Sequence, residues 1–118
     1  MRKMAPRQIE HVARQKLEEM FGLSLPKRKL VVGHDSRDFP IIHEFDLVSD
    51  DRQIVGEITS TTCGYDKTLK DSFFLSKTKA KRKLLILTNG KFHKLFRQKY
   101  GGLLPYGVEV LFLKINET

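Results

Sequence analysis

A mixed α/β sheet with helices on both faces is the architecture this sequence predicts, and three patterns carry that expectation. Apolar residues recur at helical spacing over 6–22. Two short runs between 41 and 60 alternate apolar and polar residues as half-buried strands do. Lys83–Thr88 is almost wholly aliphatic, the pattern of a buried central strand. Strands separated by helices of this length belong to a sheet with crossover connections. The 118 residues form one domain, 1–118, large enough for a single core without disulfide or metal staples.

Each element has its own warrant. Pro6 suits the first turn of the opening helix; Ile9, Val12, Ala13, Leu17, Met20 and Phe21 form its stripe, and Gly22 stops it. Lys29–Gly33 is a short strand, and His34–Pro40 a polar loop ending at proline. A hairpin of 41–48 and 53–60 follows, turning through Ser49-Asp50-Asp51-Arg52. The second helix, 65–80, has Leu69, Phe73, Ser76 or Lys77, and Ala80 along one side, and Thr61-Thr62-Cys63-Gly64 offers several caps. After the aliphatic strand, Asn89-Gly90 turns the chain into a basic helix over 91–100, stopped by Gly101-Gly102. Val108–Ile115 is the last strand. The order is α-β-β-β-α-β-α-β.

Composition narrows the chemistry. With 40% hydrophobic and 31% charged residues the chain is ordinary and globular. Cys63 is the sole cysteine, which excludes an internal disulfide and a thiolate zinc site. No secretory leader pattern is present, and Leu84–Leu87 is far too short to span a bilayer, so an intracellular, cytoplasmic protein is expected. No Ser/His/Asp motif or Gly-rich phosphate loop occurs, and His34 and His43 lack a second ligand at helical metal spacing, so both are read as structural. A pI near 9.7 makes nucleic acid the leading partner, ahead of an anionic membrane surface or an acidic protein.

The charge is unevenly placed. Residues 31–60 hold seven acids (Asp35, Asp38, Glu44, Asp46, Asp50, Asp51, Glu57) against Arg37 and Arg52. Residues 61–100 carry eleven basic and two acidic side chains. A confined acidic centre within basic flanks suits an enzyme that grips a polyanion and holds a metal against it. In the expected hairpin Glu44 and Asp46 share a face, and antiparallel pairing makes Asp46 and Glu57 neighbours on one side of the sheet. Two carboxylates so placed repel each other, which a hard divalent cation relieves. Asp50 and Asp51 only solubilise the turn. The run Lys77-Thr78-Lys79-Ala80-Lys81-Arg82-Lys83, with Lys91, Lys94, Arg97 and Lys99, is a phosphate-contacting surface in excess of what helix capping needs.

Arg7-Gln8-Ile9-Glu10 with Gly22, then Phe45-Asp46-Leu47-Val48, then Gly56-Glu57-Ile58-Thr59, resemble in that order the first helix, the aspartate strand and the Glu-x-Lys strand of the PD-(D/E)xK nuclease superfamily. Within it the chain is similar to the small archaeal Holliday-junction resolvases and their restriction-endonuclease-like relatives, over roughly residues 6–114. The resemblance implies a restriction-endonuclease-like sheet and a Mg²⁺-dependent (or Mn²⁺-dependent) DNA endonuclease, with Asp46 and Glu57 as metal ligands and Glu10 at the catalytic edge. It also implies a possible homodimer, since nucleases of this type often cut two phosphodiesters. Thr59 occupies the position of the family lysine; it can hydrogen-bond but carries no charge. Some relatives recruit a basic residue from a neighbouring helix, and Lys70 and Lys77, two turns apart with Phe74 between them, are the candidates here. Two other functions compete: a catalytically inactive module of the same fold that binds DNA or a partner protein, favoured by Thr59, and a subunit whose basic surface docks an acidic protein.

Overall fold

The computed structural model describes residues 4–60 and 64–115. Residues 61–63, with Cys63 and most of the expected cap, lie outside them. The chain runs α1 (Pro6–Phe21), β1 (Arg28–His34), β2 (Pro40–Phe45), β3 (Leu47–Val48), β4 (Ile54–Thr59), α2 (Tyr65–Ser76), β5 (Arg82–Leu87), α3 (Gly90–Tyr100) and β6 (Val108–Phe112). The expected α/β class with a mixed sheet is the observed one.

The main sheet has the order β3-β4-β5-β6, with β3 antiparallel to β4, and β4, β5 and β6 parallel. Alternation along β5 sorts the core into two layers. Leu84 and Ile86 meet Ile9, Ala13 and Leu17 of α1 on one face, with Leu47 and Ile58. Leu85 and Leu87 meet Leu75 of α2 and Phe92 and Phe96 of α3 on the other, with Val48 and Val55. Burying each such side chain contributes about 1.5–3 kcal/mol. Among the described residues no helix is long and apolar enough to cross a membrane.

Helix ends follow local chemistry. Pro6 opens α1, where the Gln8 side chain accepts the Ala5 N–H at 2.8 Å. Gly22 closes it at φ 67°, a left-handed conformation that glycine adopts without a Cβ penalty. Met20, assigned to the apolar stripe, is 67% exposed. Asn89 caps α3 by accepting the Phe92 N–H at 2.9 Å.

Three expectations need correction. The strand expected over 41–48 is broken at Asp46: β2 pairs with β1 in a separate two-stranded sheet, and only Leu47 and Val48 pair with β4. The loop over 34–40 is accordingly a tight turn between β1 and β2, held by Asp35 Oδ1 accepting the N–H groups of Arg37 and Phe39 at 2.8 and 3.0 Å. Second, α2 ends at Ser76 rather than residue 80. It buries Thr68, Asp71, Ser72 and Leu75, while Phe73 is 51% exposed. The buried hydroxyls of Thr68 and Ser72 donate to their own helix carbonyls, Gly64 O and Leu69 O, so this stripe is polar without being unsatisfied. Third, β6 stops at Phe112, although Ile115 remains in the core.

Gly56 lies where β4 is squeezed between its neighbours. A Cβ there would fall 3.0 Å from Leu47 Cδ1 and 3.2 Å from Leu84 O, and the latter is backbone that cannot step aside. Gly56→Ala should therefore destabilise the protein by about 1–3 kcal/mol. Urea denaturation measures this, and an unchanged midpoint would contradict the packing described.

Candidate metal centre

The break at Asp46 organises the site. Because β3 is only two residues long, the β4 edge beyond it has no strand partner among the described residues, and side chains take over the ladder. The Asp46 N–H donates to Glu57 Oε1 at 3.1 Å, and Asp46 Oδ2 accepts the Ile58 N–H at 2.8 Å. Each acid thus holds the other's strand. The Asp46 carbonyl accepts from Arg14 Nη2 at 2.7 Å, and Arg14 Nε reaches Leu25 O at 3.2 Å. With both backbone groups of Asp46 committed to side chains, strand pairing cannot continue through it.

Glu57 points to the α2 side of β4, as Val55 and Thr59 do. It is 4% exposed. Released from β4, β2 crosses this face and brings His43 Nε2 to 3.4 Å from Glu57 Oε2. The His43 ring stacks on Phe74 (centroids 4.2 Å apart, planes at 12°) and meets the edge of Phe45 at 4.7 Å, which fixes its orientation. From α2, Asp71 completes a group with His43 and Glu57 whose ligand atoms all lie within 4.8 Å of one another. Lys67, one helical turn before Asp71, donates to Asp71 Oδ2 at 3.0 Å. Two oxygen donors and an imidazole nitrogen are a donor set that can hold a divalent cation.

The electrostatics match this crowding. Burial, then the negative charges of Asp46 and Asp71, push Glu57 up to about 9, so at neutral pH it holds a proton and is hydrogen-bonded to Asp71. Asp46 is raised as well, by burial first, with the Ile58 N–H pulling the other way. Burial also holds His43 below its ordinary value, an effect that Asp71 opposes and Lys70 and Lys67 reinforce. Lys67 is raised: its desolvation is outweighed by the contact with Asp71 and by the charges of Asp71, Glu57 and Asp46.

Of the residues expected in the site, Asp46 and Glu57 are brought together. Thr59 lies on the same face of β4, 4% exposed, and its Oγ1 has no partner among the described residues. Leaving such a hydroxyl unpaired costs about 1–3 kcal/mol. Glu10 touches the site indirectly. Its carboxylate pairs with Arg14 at 3.2 Å and Lys27 at 3.1 Å; burial would raise it, but these cations hold it below the ordinary range. Glu44 does not share the Asp46 face: it pairs in register with Lys29 of β1 and is exposed. The ammonium groups of Lys70 and Lys77 lie over the rings of Phe74 and Phe73, at 5.9 and 5.0 Å from the centroids. It is Lys67, rather than Lys70 or Lys77, whose ammonium bonds the Asp71 carboxylate, at 3.0 Å.

The basic run lies elsewhere. Arg82 is in register with Ile54 at the start of β4, about 10 Å along the strand from the Glu57 level. Arg82 is held by Glu109 at 2.9 Å and packs over Phe21, and Lys83 donates to Ser76 O at 3.3 Å. Lys79 and Lys81 are exposed, as are Lys91, Lys94 and Arg97 of α3. His43, read as structural from its lack of a helical ligand partner, is part of the centre, and Asp71 and Lys67 were assigned no role. Their signal was the i, i+4 spacing of Lys67 and Asp71 beside the polar stripe of α2, which a search for apolar faces passes over.

No protein-family model, curated protein or solved structure matches this chain.

The raised Glu57 sets a pH dependence. A carboxyl that holds its proton more tightly in the folded state contributes stability in full below its unfolded value of 4.5, and that contribution is lost as pH rises through about 9. In chelator, the urea midpoint should therefore fall between pH 5 and about 9, and Glu57→Gln should flatten the fall. Parallel profiles for the two proteins would contradict the assignment.

Proposed function

We propose that this chain is a divalent-cation-dependent nuclease acting on DNA, the activity implied by its resemblance to PD-(D/E)xK enzymes. One observation carries the reading: three carboxylates, Asp46, Glu57 and Asp71, crowd close enough to act on one another, with Lys67 bonded to Asp71, in a chain of net charge +8. Such a cluster is poor value for stability alone, because desolvation and mutual repulsion oppose it. Perturbed groups of this kind concentrate at functional sites.

Asp46 Oδ1 and Glu57 Oε2 are the oxygens left free of the backbone clamp, and they are the donors for Mg²⁺ or Mn²⁺. A cation held there supplies positive charge to a phosphate and acidifies water. Lys67 supplies the charge that Thr59 lacks. Its side chain is 65% exposed while its ammonium reaches Asp71, so it can meet a phosphate from solvent at the rim of the buried cluster. Lys27, 43% exposed beside Glu10, adds a second cation on the Asp46 side. Farther off, a cleft of about 750 Å³ lined by His34, Arg52, Lys77 and Lys79 suits a phosphate backbone. Contacts of this kind position a duplex without reading its sequence.

Thr59 favours a second reading, in which the same site binds a cation and DNA without cutting. The two separate in a cleavage assay on supercoiled and branched DNA with Mg²⁺ or Mn²⁺. The nuclease reading expects cleavage that Glu57→Gln and Asp46→Asn abolish. Lys67→Ala should slow it by about a hundredfold with DNA binding retained, whereas Lys70→Ala should stay near the parent rate. Binding without cleavage under either cation supports the silent module. Cleavage that survives Glu57→Gln contradicts metal chemistry at this site.

A further inference from the structure

We propose that the centre is a nitrogen-containing site for a late first-row divalent cation such as Co²⁺, Ni²⁺ or Zn²⁺, held by His43 Nε2, Glu57 and Asp71. This rests on the reading of Glu57 as a metal ligand above, but not on DNA cleavage.

Geometry singles out these three. His43 Nε2 and Glu57 Oε2 are 3.4 Å apart. Two ligands each about 2.0–2.2 Å from a tetrahedral ion lie at just such a separation, so little movement is needed to seat one. Asp71 closes the triangle, no edge of which exceeds 4.8 Å. The imidazole is already oriented by Phe74 and Phe45, and Asp71 by Lys67, so the donors are preorganised by neighbours that are not themselves ligands. Asp46, with one carboxylate oxygen bound to the Ile58 N–H, is not part of this triangle.

A second observation lies on the same face of β4. Thr59 Oγ1, two residues from Glu57 along the strand, is buried with no partner among the described residues. Natural interiors rarely leave a buried hydroxyl without a ligand or ordered water to complete it. The donor set then chooses the ion. Imidazole suits Zn²⁺, Co²⁺ and their neighbours and is a poor ligand for Mg²⁺, which prefers an all-oxygen octahedron with several waters.

The test is binding of Co²⁺ to the metal-free full chain, followed by visible absorption, with Mg²⁺ as competitor. The site should give ligand-field bands that Mg²⁺ in about hundredfold excess does not remove. His43→Phe keeps a ring against Phe45 and Phe74 and deletes the nitrogen; it should weaken Co²⁺ binding by at least about tenfold, and Asp71→Asn should do the same. An unchanged spectrum in His43→Phe, or displacement by equimolar Mg²⁺, overturns the proposal. Should His43→Phe fail to fold, ¹⁵N spectra of the histidines in the unaltered protein decide it: Zn²⁺ must shift His43 Nε2, and an unmoved signal overturns the assignment. Co²⁺ binding of this form without DNA cleavage leaves the metal site standing and removes only the nuclease reading.

Discussion

A reciprocal clamp, in which the Asp46 N–H donates to the Glu57 carboxylate and the Ile58 N–H to the Asp46 carboxylate, is the constraint from which the rest of the site follows. Each residue gives its neighbour a hydrogen bond that a β-ladder would otherwise supply. That exchange ends β2 one residue earlier and releases it to pair with β1. The released strand is what carries His43 across the face of β4. An uninterrupted hairpin would have kept His43 on a strand beside β4, at the far end of the ladder from the turn. Arg14 reinforces the break from α1 by taking the Asp46 carbonyl, so the first helix is coupled to the centre through a backbone atom rather than through Glu10.

The electrostatic consequence is a cluster that sits uneasily without a cation. Asp46, Glu57 and Asp71 crowd together with Lys67 bonded to Asp71, and part of the negative charge is absorbed by keeping Glu57 protonated. Replacing that proton by a divalent cation would balance three carboxylates against one metal and one lysine. The protein therefore concentrates unfavourable charge in the few residues that form the candidate centre, a cost that burial of paired charges does not by itself repay.

Much of this architecture is legible in the sequence because it depends on local periodicity. The apolar stripe of α1, the aliphatic run of β5 and the Asn89 cap of α3 each follow from spacing and side-chain chemistry within a few residues. The closeness of Asp46 and Glu57 is legible too, since a short turn fixes their register. What the sequence conceals is partnership. Alternation tells which face a residue takes and not which strand lies beside it, so the β1–β2 pairing was hidden. In α2, Leu69 and Phe73 suggested the buried side, but Thr68 and Ser72 satisfy themselves within the helix and let Asp71 and Leu75 turn inward instead. That rotation decides which lysine meets the carboxylates: Lys67 rather than Lys70 or Lys77.

The most direct measurement is a ¹³C NMR titration of the Glu57 side-chain carboxyl in chelator. With the carboxyl buried against Asp46 and Asp71, its midpoint is expected near 9, and Asp46→Asn should lower it by removing one of the opposing charges. A midpoint at the ordinary carboxylate value near 4.5, unmoved by Asp46→Asn, would contradict the coupled acidic centre on which the site is built.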